Sequence, residues 1–230
     1  ATEKGLKAMF SFEAWWQILT TKLPVFFQGV GTTVELALCT AIFGTLLGIV
    51  VALLRMSRVK LLKVLAGAYI EFLRGTPLLV QVLIVFYGLP QMGVKLPRMT
   101  AGTVALVINS AAYMAEIVRS GIQAIDGGQT EASRSLGMNG AQTMIYIILP
   151  QAIKNILPAI GNEFISIIKE SSILYTIGIY ELTYQANKLA STNFRYLETL
   201  TISALIYFVL TFTASRLLGM LERRMRRGDR

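Results

Sequence analysis

The chain has 230 residues, 54% of them hydrophobic and 15% charged, with 22 Lys and Arg against 13 Asp and Glu and a formal charge of +9. A balance this apolar excludes an ordinary water-soluble domain of that size and places the chain in a bilayer. The positive charge does not point to nucleic acid, because the basic residues sit in short segments between apolar runs, where membrane topology accounts for them.

Residues 1–27 read as an N-terminal segment in which Phe10, Phe12, Trp15, Trp16, Ile18 and Leu19 are interleaved with Glu13, Gln17 and Lys22. That pattern predicts a helix lying at the outer interface. No apolar stretch with a small-residue cleavage site is seen, so no removable signal peptide is expected and the first span serves as the insertion signal.

A five-helix transmembrane domain is expected over residues 28–220, since each crossing of ~30 Å of hydrocarbon takes about 20 mostly apolar residues. The first span runs from Gln28 to Leu54 and holds Cys39, the single cysteine; with no histidine either, internal disulfides and soft-ligand metal sites are excluded. Its Gly44 and Gly48 have the GxxxG spacing that lets another helix approach closely. The second, Leu65 to Leu89, contains Arg74, Gly75, Thr76 and Pro77, and the proline predicts a kink inside the membrane. The third covers Thr100 to Val118, the fourth follows Pro150 as far as Lys169, and the fifth covers Leu200 to Met220. Between the last two, Ser171 to Leu197 reads as a partly re-entrant external segment, and residues 221–230 read as a basic cytoplasmic tail.

Orientation follows from the excess of Lys and Arg in cytoplasmic connections. The first and third connections and the tail carry thirteen of these residues, including Arg55, Arg58, Arg119, Arg134 and Arg223, whereas the opposite side carries seven, including Lys22, Lys95 and Arg195. An external N-terminus and an internal C-terminus are therefore expected, and the long connection after the third span is cytoplasmic.

That connection, residues 126–150, is legible in detail. Asp126, Gly127 and Gly128 make a turn, Thr130 caps a helix of about two turns, Glu131 complements its dipole, and Gly137 stops it in the left-handed conformation. Asn139 caps a second helix running through Ile148, after which Leu149 and Pro150 lead back into the membrane.

Here the sequence resembles the signature of bacterial ATP-binding cassette (ABC) importer permeases, Glu-Ala-Ala followed by glycine, nine further residues and Ile-x-Leu-Pro. Glu131, Ala132, Ser133, Gly137, Ile147, Leu149 and Pro150 stand at the matching positions, with Ser133 in place of the usual alanine. YIEFLRGTPLLVQ (69–81), NSAAYMAEIVRSGI (109–122), GQTEASRSLGM (128–138) and LPQAIKNILPAIGNEF (149–164) look like the polar amino acid uptake group, and the resemblance covers roughly Gly29 to Arg227. It is nearest to arginine, histidine and glutamine permeases and implies the type I importer fold: all-α, integral to the membrane, with five transmembrane helices and a cytoplasmic coupling helix.

The resemblance also implies partners. A separate cytoplasmic ATPase subunit would bind ATP and Mg and receive the loop through Glu131, Ala132, Ser133, Leu136, Gly137 and Met138, with Gly137 permitting close backbone approach. A second permease copy, identical or not, and an extracellular or periplasmic binding protein would complete the importer in a bacterial inner membrane. The chain itself lacks GxxxxGK[ST] and any other glycine-rich cradle for phosphates, so no catalytic residue or cofactor is expected in it.

Ionisable and polar residues inside spans are candidates for ligand contact. Asn109, Tyr113 and Glu116 share one face of the third span, and Asn162, Ser166 and Lys169 share one face of the fourth beside Glu163 and Glu170. Arg74 and Gln81 join the candidate set, though Arg74 also suits a role in the helix break or on a lipid headgroup. Together these supply both signs of charge that an amino-acid zwitterion needs. In the resembling family, importers of basic amino acids carry an acid at the position of Glu163 and glutamine or glutamate importers an amide; this favours arginine, lysine or histidine, with glutamine as the alternative. Pairing of Glu163 with Lys169 is the competing structural reading. An ion-coupled secondary transporter and a scaffold without a transport path are the other functional classes, and no inverted repeat supports the former.

Overall fold

Backbone groups inside hydrocarbon have no water to bond, so apolar runs of this length must close their hydrogen bonds within helices. A computed structural model, describing residues 10–226, takes that form. In chain order it has α1 (Phe12–Arg55), α2 (Lys60–Gly75), α3 (Leu78–Leu83), α4 (Leu89–Gln91), α5 (Arg98–Gln123), α6 (Gly127–Ser135), α7 (Gly140–Thr143), α8 (Leu149–Glu170), α9 (Leu182–Asn193) and α10 (Tyr196–Arg226). Wide π-helical turns at Ile84–Gly88 and Met144–Ile148 join α3 to α4 and α7 to α8, and a 3-10 turn, Ser171–Ile177, follows α8. Among the described residues, four helices are long and apolar enough to cross a membrane, and the pair Lys60–Gly75 with Leu78–Gln91 makes a fifth if taken as one broken span.

The boundary expected near residue 28 falls inside α1, which continues without interruption for 44 residues. At 1.5 Å per residue such a helix is about 66 Å long, more than twice the ~30 Å of hydrocarbon, so its N-terminal part must extend past the membrane or tilt steeply. Its aromatic-rich start is fastened to the rest of the chain: the Ser11 N–H donates to the buried Glu198 carboxylate of α10 at 3.0 Å, and Ile18 and Phe26 pack with Leu182, Ala186 and Ile202. Residues 1–9 and 227–230, including much of the expected basic tail, lie outside the described residues.

The glycine pair of α1 marks its crossing with α5. A Cβ on Gly44 would sit 2.8 Å from Ser110 Oγ, and one on Gly48 would sit 2.5 Å from Met114 Cβ and 3.0 Å from the Ala111 carbonyl oxygen. The helices meet closely because these positions carry no side chain.

The expected kink at Pro77 is a full break. α2 and the following helical segment meet at 107°, with Thr76 in an extended conformation between them. Proline has no N–H to give the carbonyl four residues back, so Leu73 O loses its helical partner. Gln81 replaces it: its amide nitrogen lies 2.8 Å from Leu73 O, 3.1 Å from Thr76 O and 2.9 Å from Thr76 Oγ1.

Beyond α8 the chain turns through the 3-10 segment and Gly178, whose φ of +75° takes the left-handed region that glycine adopts freely. Glu181 then caps α9, accepting from the Thr183 and Tyr184 N–H groups at 2.8 and 2.6 Å and from the Tyr207 hydroxyl at 2.8 Å. Burial raises the Glu181 carboxyl above the ordinary carboxylate range, and these donors pull it back. With 12 residues, α9 is too short to cross a bilayer. α10 closes the chain and leaves Leu205, Phe208, Val209 and Phe212 exposed, the surface expected of a helix facing lipid.

Candidate coupling loop and ligand site

The loop is built by local capping. Asp126, rather than Thr130, is the N-cap of α6: its carboxylate accepts the Gly128 N–H at 2.6 Å, and both glycines that read as a turn are already helical. Gly137 ends the helix at φ +84°. The Gly137 N–H donates to Arg134 O at 3.0 Å and the Met138 N–H to Ser133 O at 3.1 Å, the paired bonds of a Schellman ending. Among the described residues nothing lies within 4 Å of a Cβ built on Gly137, so its backbone angle, and no internal close approach, demands glycine.

Asn139 and Gln142 form a reciprocal capping box at the start of α7. The second helix does not stop at Ile148 as expected; Gly140–Ile177 is one apolar helical run. Pro150 enters at the start of α8 immediately after the π-helical turn, and Gln151 donates its side-chain amide to Ile147 O at 2.7 Å. A π turn is a local adjustment that accommodates a missing proline N–H without a break.

The candidate docking residues divide. Glu131, Ala132 and Gly137 are exposed, Leu136 is 84% exposed, and Met138 is half-buried. Ser133 points inward: it is 3% exposed and its hydroxyl lies 2.9 Å from that of Thr143 and 2.9 Å from Thr130 O. The serine at the usual alanine position is thus an internal rivet between α6 and α7.

The ligand candidates also divide. Arg74 places its guanidinium carbon 5.4 Å from the centre of the Tyr113 ring, within the range of a cation–π contact. Glu163 of α8 and Glu116 of α5 both lie within electrostatic reach of its charge, which groups side chains of α2, α5 and α8 near one another. Arg74 and Asn162 are exposed and Tyr113, Glu163 and Ser166 half-buried, so the cluster is open to the surface. Glu116 is held by a bidentate pair with Arg119, which also reaches Gln123.

Three candidates stand apart from this group. Gln81 and Asn109, 7% and 4% exposed, bond each other at 2.9 Å beside the Pro77 break. Lys169 lines a separate cavity of about 430 Å³ with Ser172, Thr183, Ser203 and Tyr207.

The model of the family described as binding-protein-dependent transport system inner membrane component matches residues 44–227. The chain belongs to this family. As a member, it is 40% identical over 209 residues to the arginine transport system permease protein ArtQ of Bacillus subtilis, covering 90% of this chain and 95% of that one. It is 34% identical over 213 residues to the glutamine transport system permease protein GlnP of Escherichia coli, covering 92% and 97%. Among solved structures, one described as the crystal structure of an amino acid ABC transporter with histidines is 50% identical, with a TM-score of 0.88 over 94% of this chain and 99% of that chain. The MetNI methionine ABC transporter, 18% identical at a TM-score of 0.66, shares the fold. The chain is therefore an all-α integral membrane protein with the fold of type I ABC importer permeases.

Proposed function

We propose that the chain is the membrane permease subunit of an ATP-driven importer for a polar amino acid, basic in preference, which it passes across the bacterial inner membrane by alternating access. The observation that carries the reading is the exposed, self-capped α6 knob joined by a short turn at Gly137 to the membrane-length helical run that begins at Gly140. Such a rigid element can transmit the closing and opening of ATPase subunits to the spans. Hydrolysis would reside in the ATPase partners, with ATP and Mg bound there, and a second permease copy and an external binding protein would complete the pathway. The positive-inside rule puts α6 and the end of α10 in the cytoplasm.

The ligand site is assigned to the cluster of Arg74, Tyr113, Glu116, Asn162, Glu163 and Ser166. Arg74 suits a ligand carboxylate, and a half-buried Glu163 suits an ammonium or guanidinium and repels an acidic side chain. Likeness to ArtQ and to the transporter solved with histidines supports a basic ligand. Likeness to GlnP supports glutamine equally well. Uptake into proteoliposomes holding the permease, its ATPase and its binding protein tests the assignment. Accumulation that requires ATP and is competed by arginine, lysine or histidine is expected; accumulation driven by an ion gradient without ATP refutes the importer, and competition by glutamine alone refutes the basic preference.

A further inference from the structure

We infer that Gln81 and Asn109 are positioning residues, which hold the α2–α3 break in the bent form that sets Arg74 over Tyr113. The inference rests on the reading of the Arg74, Tyr113 and Glu163 cluster as the ligand site, and it removes two side chains from the set that would touch ligand.

The amide of Gln81 is occupied at both ends. Its nitrogen has two hydrogens and three acceptors in range, Leu73 O, Thr76 O and Thr76 Oγ1. Its oxygen accepts the Asn109 amide at 2.9 Å, and that Asn109 nitrogen is also 3.5 Å from Leu73 O. Both side chains are buried, so water is a poor substitute, and a ligand could reach them only by opening these bonds.

The contacts form a closed circuit through three elements. Asn109 on α5 fixes Gln81 on α3, and Gln81 fixes the end of α2 at Leu73 and Thr76. Arg74, the residue after Leu73, then returns to α5 by lying over Tyr113, one turn along from Asn109. Tyr69 adds a separate bond from α2 to α5, its hydroxyl donating to Ile108 O at 2.6 Å. That second tie keeps the helices together, so loss of the amide pair frees the bend without separating α2 from α5.

The test reads the geometry directly. In a Cys39→Ser background, cysteines are placed by Arg74→Cys and Tyr113→Cys, and short bifunctional crosslinking is measured in the assembled permease–ATPase complex. Asn109→Leu is expected to lower the yield severalfold; should that variant fail to assemble, Asn109→Asp keeps the shape while removing the donor. In the native-cluster protein, Gln81→Leu and Asn109→Leu should each raise the L-arginine concentration for half-maximal uptake roughly tenfold, with a smaller change in maximal rate. Combining them should add little, as expected for two members of one contact. An unchanged crosslinking yield overturns the inference whatever happens to uptake. Arg74→Gln tests the ligand site by itself: unchanged arginine binding there refutes that reading while leaving the crosslinking result standing.

Discussion

The hydroxyls of Ser133 and Thr143 lie 2.9 Å apart in a side-chain hydrogen bond that ties α6 to α7. Both residues are 3% exposed, so neither has water to turn to. Loss of Ser133 leaves the Thr143 hydroxyl buried without its mate, which costs more than removing both, whereas Ser133 keeps Thr130 O as an acceptor when Thr143 is lost. Ser133→Ala should destabilise the loop by about 1 kcal/mol. Ser133→Ala combined with Thr143→Val should cost less than the sum of the two single changes. Thermal unfolding of the four proteins checks this, and simple additivity would contradict the rivet.

Gly137 stops α6 at a backbone angle that other residues adopt at a cost of roughly 1–2 kcal/mol, and a β-branched residue suffers most. Gly137→Val should therefore distort the knob and uncouple ATP hydrolysis from uptake. Gly137→Asn should be milder, since asparagine tolerates the left-handed region and the space around the position is open. Equal coupling ratios in both variants would show that the angle does not matter.

Gly48 cannot gain a side chain without moving backbone, because the Ala111 carbonyl oxygen and the Met114 Cβ flank it. Gly48→Ala should force α1 and α5 apart and destabilise the protein by about 1–3 kcal/mol. Gly31, in the same helix with nothing near, should accept alanine without loss. A detergent-solubilised melting comparison of the two variants is decisive, and similar melting temperatures would deny the close crossing.

On the proposed assignment of the ligand site, Glu163 is the charge that would favour a basic ligand. Glu163→Gln should reduce arginine uptake at least tenfold, the loss of one charge-assisted contact, and shift preference towards glutamine. Competition of labelled arginine uptake by unlabelled amino acids measures the shift, and an unaltered order of competitors would exclude Glu163 from selectivity.

What could be read along the chain was whatever closes locally. Gly137 and the Asn139 box depend on neighbours within a few positions, so residue type alone exposed them. Asp126 displaced Thr130 as the cap because Gly127 and Gly128, which resemble a turn, carry helical angles instead. Longer-range partnerships stayed hidden. Ser133 read as a neutral substitute for alanine until Thr143, ten positions on, came beside it. Gln81 and Asn109 read as polar groups awaiting a ligand, because the acceptor orphaned by Pro77 becomes visible only when α3 folds back against α5. The uninterrupted α1 escaped for a related reason: its N-terminal half and the residue that caps it are held by Leu182 and Glu198, more than 150 positions away.

The unbroken run through α7, the π turn and α8 has a mechanical consequence. From Asn139 to Glu163 it measures about 36 Å at 1.5 Å per residue. Such a rod behaves as a crowbar: from a fulcrum at the buried Ile156, the Asn139 tip is about 26 Å away and Glu163 about 11 Å, so a swing of about 10° that moves the loop end by roughly 4.5 Å carries Glu163 by roughly 2 Å. A displacement of that size is enough to make or break the contact of a carboxylate with a bound cation.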